Sequence, residues 1–366
     1  LHVRSRRQRQ MCIRDSALAG QAPGPLTGAY FRAGAAALTN LPSVFDARIL
    51  AELLDRHYGL SGAIEPLSSE VEHTAEVTLA DGTRLILKTA RQPEAVPSFR
   101  FQSAAMAALQ GADGFLAPRL LRTLRGALMF EEAGVSGYLQ TRLDGVPLYR
   151  ELRTPDLLRR TGRALGCLDR ALAAHDLPAA DRPVLWHVGC WSHLTRLRTY
   201  LPQGPVSQTV ARAMETYVDR VEPALFDLAW QVAHNDPSPF NILASDEGIA
   251  FIDFGDGVFG PRIQDLAVAA SHLVSDPALP LGGAEHLIAG YHSVLPLSAL
   301  EAQLLVGLMT ARQGALILIN YWRSHLFPAD AAYIKKNVGR AEAGLAILDR
   351  LSPIEGEAAV RAALET

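Results

Sequence analysis

Cysteine is scarce in this 366-residue chain. Cys12, Cys167 and Cys190 lie far apart and fall in no paired motif. That spacing suggests neither a disulfide framework nor a cysteine zinc site, and a reducing, cytoplasmic setting is the simplest expectation. Strong charge of one sign is also missing. The formal net charge is −3, so no broad basic field points to nucleic acid as a partner. No apolar run reaches the roughly 18 residues needed to cross a bilayer, so no membrane partner is expected. Internal repeats are absent, and nothing in the chain speaks to oligomeric state. What is present is 49% hydrophobic and 20% charged residues, the balance of a globular chain rather than a disordered one. The length suits one large domain or two lobes.

The first sixteen residues differ from the rest. LHVRSRRQRQMCIRDS carries Arg4, Arg6, Arg7, Arg9 and Arg14 against Asp15. The segment reads as a translated cloning or sequencing scar rather than a targeting arm, and it is excluded from the fold. Without it the remaining chain is mildly acidic. Residues 17–42, rich in Ala, Gly and Pro, read as a loose leader.

Residues 43–59 begin with Ser43 as a candidate cap, and Ile49, Leu50, Leu53 and Leu54 then recur at helical spacing. Two strand-like runs, Val71–Leu79 and Thr83–Lys88, flank Ala80-Asp81-Gly82, a hairpin signal. The second run is apolar and ends in Lys88. A helix is expected from about Ser98 to Gln110, with short strands at Leu120–Leu124, Ala127–Glu131 and Tyr138–Leu143. The character then changes. Leu158, Thr161, Leu165, Leu168 and Leu172 step by three and four residues, marking an amphipathic helix. Another helical stretch covers about 206–230, a β-rich insert covers 232–253, and helices fill about 262–350. A small β-rich lobe, residues 43–140, thus precedes a larger helical lobe, residues 141–366, in an α+β chain.

The chemistry concentrates in Val232–Leu243, which contains His234, Asn235, Asp236 and Asn241 as His-x-Asp-x-x-x-x-Asn, followed by Ile252-Asp253-Phe254-Gly255-Asp256. Between them Ser245-Asp246-Glu247-Gly248 reads as a turn. Phosphoryl transfer needs a carboxylate beside the attacking hydroxyl, hard oxygen ligands for magnesium and a cation on the nucleotide phosphates. A loop carrying Asp236 and Asn241, with a hairpin returning Asp253 to face them, has the order and spacing of a kinase catalytic loop and its Asp-Phe-Gly segment.

On these residues the chain resembles the aminoglycoside phosphotransferase and choline kinase superfamily, and within it the hydroxylysine-kinase-like branch. Pro261-Arg262-Ile263-Gln264-Asp265-Leu266-Ala267, Gly290–Val294 and Ala311-Arg312 extend the resemblance, which runs from about residue 45 to the end. It implies a protein-kinase-like two-lobed fold. It implies ATP as co-substrate and Mg²⁺ as cofactor, and the hydroxyl of a small amino alcohol or hydroxy amino acid, hydroxylysine-like, as acceptor. Homoserine, choline, ethanolamine and aminoglycosides remain open as acceptors. Asp236 would be the catalytic base, Asn241 and Asp253 the metal ligands, and Lys88 the cation on the phosphates. Ser68 and Ser69 fall in the phosphate-covering loop, and Gln140, Thr141 and Leu143 in the hinge that holds adenine through backbone groups. His234 and Asp265 would support the catalytic loop. Asp256 would contact an acceptor amine or cap a turn, and His187 stands where the branch often has an acceptor-binding Asp. Trp191, Tyr321, Trp322 and Arg323 would line the acceptor pocket or pack in the core.

Three departures accompany the resemblance. Asn235 replaces the usual Gly and would have to adopt left-handed backbone angles. The covering loop lacks glycine and carries Glu70 and Glu72, which would repel phosphates unless turned away. The helix position that normally supplies a carboxylate to the lysine falls near Arg100, with Glu94 the nearest acid, so Lys88 is left without an assigned partner. The rival readings are a nucleotide-binding pseudokinase with a regulatory role and a protein-substrate kinase. Against the latter, Asp253 and Asp265 are too close for an activation segment.

Overall fold

The Asp81-Gly82 turn forms as its residues dictate. Gly82 takes a φ of 85°, a conformation cheap only without a Cβ, and the Asp81 carboxylate accepts from Thr83 N at 2.9 Å. This turn sits in a computed structural model that describes residues 24–39, 44–67 and 72–365. The basic segment 1–16, Ser43, Ser68, Ser69 and Glu70 lie outside the described residues.

In chain order the first elements are α1 (Gly28–Ala37), α2 (Ala47–Tyr58), β1 (Gly62–Leu67), β2 (His73–Leu79), β3 (Arg84–Ala90), α3 (Ala95–Ala108), β4 (Leu120–Leu121), β5 (Phe130–Glu132) and β6 (Val135–Thr141). The strands make one antiparallel sheet ordered β1-β2-β3-β6-β4, with β5 also on β6. Helix α2 covers one face. Its Leu50, Leu53, Leu54 and Tyr58 pack against Ala75, Val77, Leu85, Leu87 and Leu139. Its cap is Asp46, which accepts from Arg48 N at 2.8 Å, and not the expected Ser43. Strand β1 escaped the sequence reading because it is an exposed edge with little apolar alternation and a proline, Pro66. Strand β3 continues past Lys88 to Ala90, so the lysine lies inside the strand, opposite Tyr138 of β6.

The larger lobe comprises β7 (Val146–Pro147), α4 (Pro155–Leu172), α5 (Pro205–Thr216), β8 (Trp230–Ala233), β9 (Ile242–Ser245), β10 (Gly248–Phe251), β11 (Val258–Pro261), α6 (Ile263–Ser271), α7 (Glu285–Val294), α8 (Ala299–Leu326), α9 (Ala331–Ile334), α10 (Val338–Leu348) and α11 (Pro353–Leu364). The expected helix over 206–230 stops early. It widens into a π turn over Tyr217–Val221 and then tightens to a 3₁₀ helix over Glu222–Asp227, where Pro223 lacks the N–H an α-helix needs. The leader is not wholly loose. Helix α1, capped by Thr27, seats Tyr30 and Phe31 in the core of the larger lobe, and Tyr30 Oη donates to Arg182 O at 2.9 Å. Among the described residues one helix, α8, is long and apolar enough to cross a membrane, which the sequence reading had not recognised. Its most apolar window is 83% buried inside the protein, because α5, α6, α10 and α11 pack around it.

Helices α4 and α7 approach each other through glycines. A Cβ on Gly162 would stand 2.0 Å from Leu287 O, and one on Gly290 would stand 2.2 Å from Arg159 O. Gly162→Ala should therefore destabilise by about 1–3 kcal/mol or more, as backbone must separate. Gly339→Ala, with nothing within 4 Å of the new carbon, should be neutral or gain about 0.5–1 kcal/mol from helix propensity. Urea unfolding of both variants checks this, and equal midpoints would contradict the close crossing.

Candidate active site

The loop between β8 and β9 is fixed from below. Asp265, in the first turn of α6, accepts from His234 N at 2.7 Å and from Asn235 N at 2.6 Å. His234 is fully buried. Its Nδ1 accepts from Asp236 N at 3.3 Å, which leaves Nε2 as the donor to Ile252 O at 3.1 Å. Burial lowers its pKa to about 4, so the ring is neutral and ties the loop to the strand end before Asp253. Asn235 adopts a φ of 68°, as required where the usual residue is Gly. Its side chain is used as well. Nδ2 donates to Asp256 O at 2.9 Å, and Oδ1 accepts from Gln264 Nε2.

Asp236 projects from this platform. Its Oδ2 accepts from Asn241 Nδ2 at 2.7 Å and its Oδ1 from Arg312 Nη2 at 3.0 Å. Arg312 comes from the middle of α8, is 4% exposed, and lies over the Trp186 ring at 4.4 Å. With Nδ2 committed to Asp236, the Asn241 amide turns its oxygen away from that carboxylate. Asp253, with a φ of 63°, leaves half of its side chain exposed.

Lys88 meets Asp253 across the lobes. Nζ lies 2.8 Å from Asp253 Oδ1 and 2.5 Å from Glu72 Oε1. Burial opposes the charge on Lys88, but Asp253 and Glu72 outweigh it and raise its pKa. Burial likewise opposes the charge on Asp253, and Lys88 holds that carboxyl below the usual range. The partner left unassigned in the sequence is thus Glu72. It is buried against Lys88 rather than facing phosphates, which answers the expected repulsion. Neither alternative serves. Arg100 pairs with Glu131 on the surface at 2.8 Å, and Glu94 is exposed. Helix α3 presents Gln102 instead, whose Oε1 accepts from Tyr138 Oη at 2.6 Å and lies 3.4 Å from Lys88 Nζ.

Other expected residues fall less simply. Asp256 lies within electrostatic reach of Asp236 and Asp253. Burial and those two charges raise its pKa to about 7, against the pull of Arg312 and Arg182. His187 does not reach an acceptor. It is 1% exposed, accepts from Gly189 N at 2.9 Å, and reaches Phe259 O at 3.2 Å through Nε2. A neutral ring with both nitrogens engaged caps the following turn. Its neighbour Trp186 is the residue that meets the site. Thr141 has its N–H on Arg119 O at 2.9 Å and its hydroxyl accepting from Arg119 N at 2.9 Å, so its carbonyl would be the backbone group to meet adenine. Gln140 is buried in the sheet between β3 and β4, and Leu143 lies just beyond its end. Trp191, Trp322 and Arg323 are buried, Trp191 and Trp322 within the core, and Tyr321 packs against it.

Residues 63–297 match the phosphotransferase enzyme family. The chain belongs to that family. It is 25% identical to hydroxylysine kinase of Danio rerio over 284 residues, covering 72% of this chain and 80% of the fish protein. It is 25% identical to hydroxylysine kinase of Mus musculus over 219 residues, covering 55% of this chain and 58% of the mouse protein. Among solved structures, a microcompartment-associated aminopropanol kinase superposes with a TM-score of 0.63 at 22% identity, covering 85% of this chain and 99% of that one. An amicoumacin kinase in complex with AMP-PNP and Ca²⁺ gives 0.61 at 14% identity, covering 80% and 93%. The protein-kinase-like fold is shared with both.

Three residues of this phosphotransferase site had signals that the sequence reading passed over. Arg312 interrupts an apolar helix, and buried arginine is rare unless paired. Glu72 lies next to the strand that pairs with β3. Asp169 stands on the apolar face of α4, fully buried, where it accepts from Tyr291 Oη at 2.6 Å. Its carboxyl lies within hydrogen-bonding reach of Asp265. Burial and the Asp265 charge raise the Asp169 pKa well above normal, and burial lifts Asp265 to about 6. A neutral Asp169 could donate its proton to the Asp265 carboxylate.

Two outcomes follow. Glu72→Gln should destabilise by about 1–3 kcal/mol by removing a buried charge partner, while Arg100→Ala stays within about 0.5 kcal/mol. Equal effects in denaturant melts would reject the Glu72 assignment. For Asp169 and Asp265 the folded pKa values lie above the unfolded ones. Their contribution is therefore present at low pH and lost as pH rises from about 4 through the folded values. Asp169→Asn should gain on the wild type when stability at pH 8 is compared with pH 5. A pH-independent difference would exclude that donated proton.

Proposed function

We propose that this chain is an ATP- and Mg²⁺-dependent kinase transferring the γ-phosphoryl group to the hydroxyl of a small amino alcohol or hydroxy amino acid, hydroxylysine-like. The observation that carries the reading is the Asp236 carboxylate, held at both oxygens by Arg312 and Asn241 beside Asp253, which Lys88 grips from the other lobe. A carboxylate fixed this way can orient an acceptor hydroxyl and take its proton as the oxygen bonds to γ-phosphorus and ADP leaves. Among the described residues no three His, Cys, Asp or Glu side chains group as a metal site. Asn241 and Asp253 nonetheless offer two hard oxygens, which suits a cation that takes its remaining ligands from phosphates and water. When bound there, Mg²⁺ would neutralise charge on the phosphates.

The pseudokinase reading rested on the missing partner of Lys88 and on the acid-bearing covering loop; Glu72 supplies the partner, and Glu70 lies outside the described residues. Acidic Asp256 beside Asp236 suits an acceptor carrying an amine. A reducing compartment fits the unpaired thiols Cys167 and Cys190, and we place the enzyme in the cytoplasm.

ADP release from Mg-ATP against a panel of amino alcohols, hydroxy amino acids and aminoglycosides tests the proposal. Asp236→Asn should keep ATP binding and lose about 10²–10⁴-fold in turnover. Asp253→Ala should lose magnesium-dependent ATP binding. Undiminished turnover in Asp236→Asn would remove the assigned base, and silence across the panel in the wild type would reject these acceptor classes.

A further inference from the structure

Arg312 has more donors than Asp236 can use. Its Nη2 is engaged, but Nε and Nη1 are buried without a hydrogen-bond partner among the described residues. Buried guanidinium donors left unmatched cost free energy comparable to a lost charged hydrogen bond. Arg312 also lines a small cleft, with enclosed room for about one water molecule, together with Ser271, His272, Gln313, Asn337 and Arg340. His272 Nε2 is a second buried nitrogen there without a partner. Arg340 is positioned rather than free. It donates to Asn337 Oδ1 at 2.7 Å and lies over the Phe240 ring of the catalytic loop at 5.1 Å. Arg153 adds a third positive charge within electrostatic reach of His272. The cleft is therefore cationic in a protein of net negative charge, and Arg312 links it to Asp236.

We propose that this cleft is a carboxylate subsite, in which Arg312 Nε and Nη1, Arg340 and His272 receive the carboxylate of a hydroxy amino acid acceptor. The inference rests on the kinase reading only in placing the acceptor hydroxyl at Asp236. Planar guanidinium donors match a carboxylate geometrically as well as electrostatically. Asp256, opposite in sign to the cleft and within electrostatic reach of Asp236, would face the ammonium group. The site is then complementary to a zwitterion that also carries a hydroxyl. Amino alcohols without a carboxylate would leave the arginines unmatched, and the penalty of unpaired buried groups is what gives strong discrimination.

The test uses hydroxylysine, homoserine and threonine, each beside its carboxamide and beside the amino alcohol left when the carboxylate is removed. Both ADP release and calorimetric binding in the presence of a non-hydrolysable ATP analogue are measured. At least one acid should exceed its two neutral partners by about 100-fold or more in affinity or kcat/KM. Arg340→Gln should shrink that ratio by about 10-fold or more, the scale of one charged hydrogen bond, and Arg340→Lys should restore part of it. Thermal unfolding verifies that both variants fold. Turnover of neutral members with no preference for the acids would overturn the subsite while leaving the kinase reading intact. Binding of an acid that depends on Arg340, without turnover of any member, would support the subsite and reject the kinase reading for these acceptors. No binding of any acid, or an unchanged ratio in Arg340→Gln, would overturn the subsite.

Discussion

The catalytic loop depends on the Asp265 carboxylate and the two backbone N–H groups it receives. Residues 234 and 235 turn through a left-handed step at Asn235 and so cannot satisfy their amides in a sheet. Each charge-assisted bond is worth about 1.5–3 kcal/mol, whereas burying a carboxylate costs several kcal/mol. Two such bonds roughly offset that cost and leave little margin. Burial favours the neutral form of Asp169, which is held by Tyr291 and lies within hydrogen-bonding reach of Asp265, so it can supply the margin without adding a second charge. The catalytic platform is thereby tied to α4, α6 and α7 at once, and α4 and α7 are locked together by the glycine crossing at Gly162 and Gly290.

Charge is layered above this platform. Lys88 and Glu72 bring the small lobe to Asp253, and Arg312 brings the far end of the large lobe to Asp236. The two carboxylates needed at the reaction centre therefore each have their own cation, from opposite sides. Asp256 sits near both and within reach of Arg312 and Arg182. Arg182 is occupied with main-chain oxygens, donating to Gly257 O at 2.6 Å and Gly255 O at 2.5 Å. The result is an acidic centre in which the fixed charges are held separately and cannot collapse into one ion-pair cluster.

Much of this was legible in the chain because phosphoryl transfer relies on a few residues close in sequence. Asp236, Asn241 and Asp253 flank one hairpin, and the left-handed angle demanded of Asn235 follows from the resemblance, which has Gly there. The structure contradicts expectations where a contact joins distant segments. His187 read as an acceptor residue because its sequence neighbourhood aligns with one, yet burial turned it into a cap. The Lys88 partner was sought on α3, whereas a β-strand neighbour can present a carboxylate from the opposite direction, as Glu72 does. Thr141 is restricted for a related reason, since its N–H and hydroxyl are claimed by Arg119 across a strand pairing that local pattern does not show. Ser68 and Ser69 stay expectations from sequence.

Helix α8 shows why a long apolar segment can carry specificity. A helix packed on most sides offers side chains that cannot move away, and Arg312 in its middle is held by Trp186 on one face and Asp236 at its tip. A surface arginine in this role would lose side-chain entropy each time it met a carboxylate and would be partly screened by salt. A buried one is already ordered and acts in a lower dielectric, where each matched hydrogen bond counts for more. The same environment makes an unmatched donor expensive. A single residue can therefore hold Asp236 in place and penalise any acceptor that fails to satisfy its remaining donors. Positioning and selection then reside in one side chain, and substitutions at Arg312 cannot separate them, whereas Arg340, outside the contact with Asp236, can.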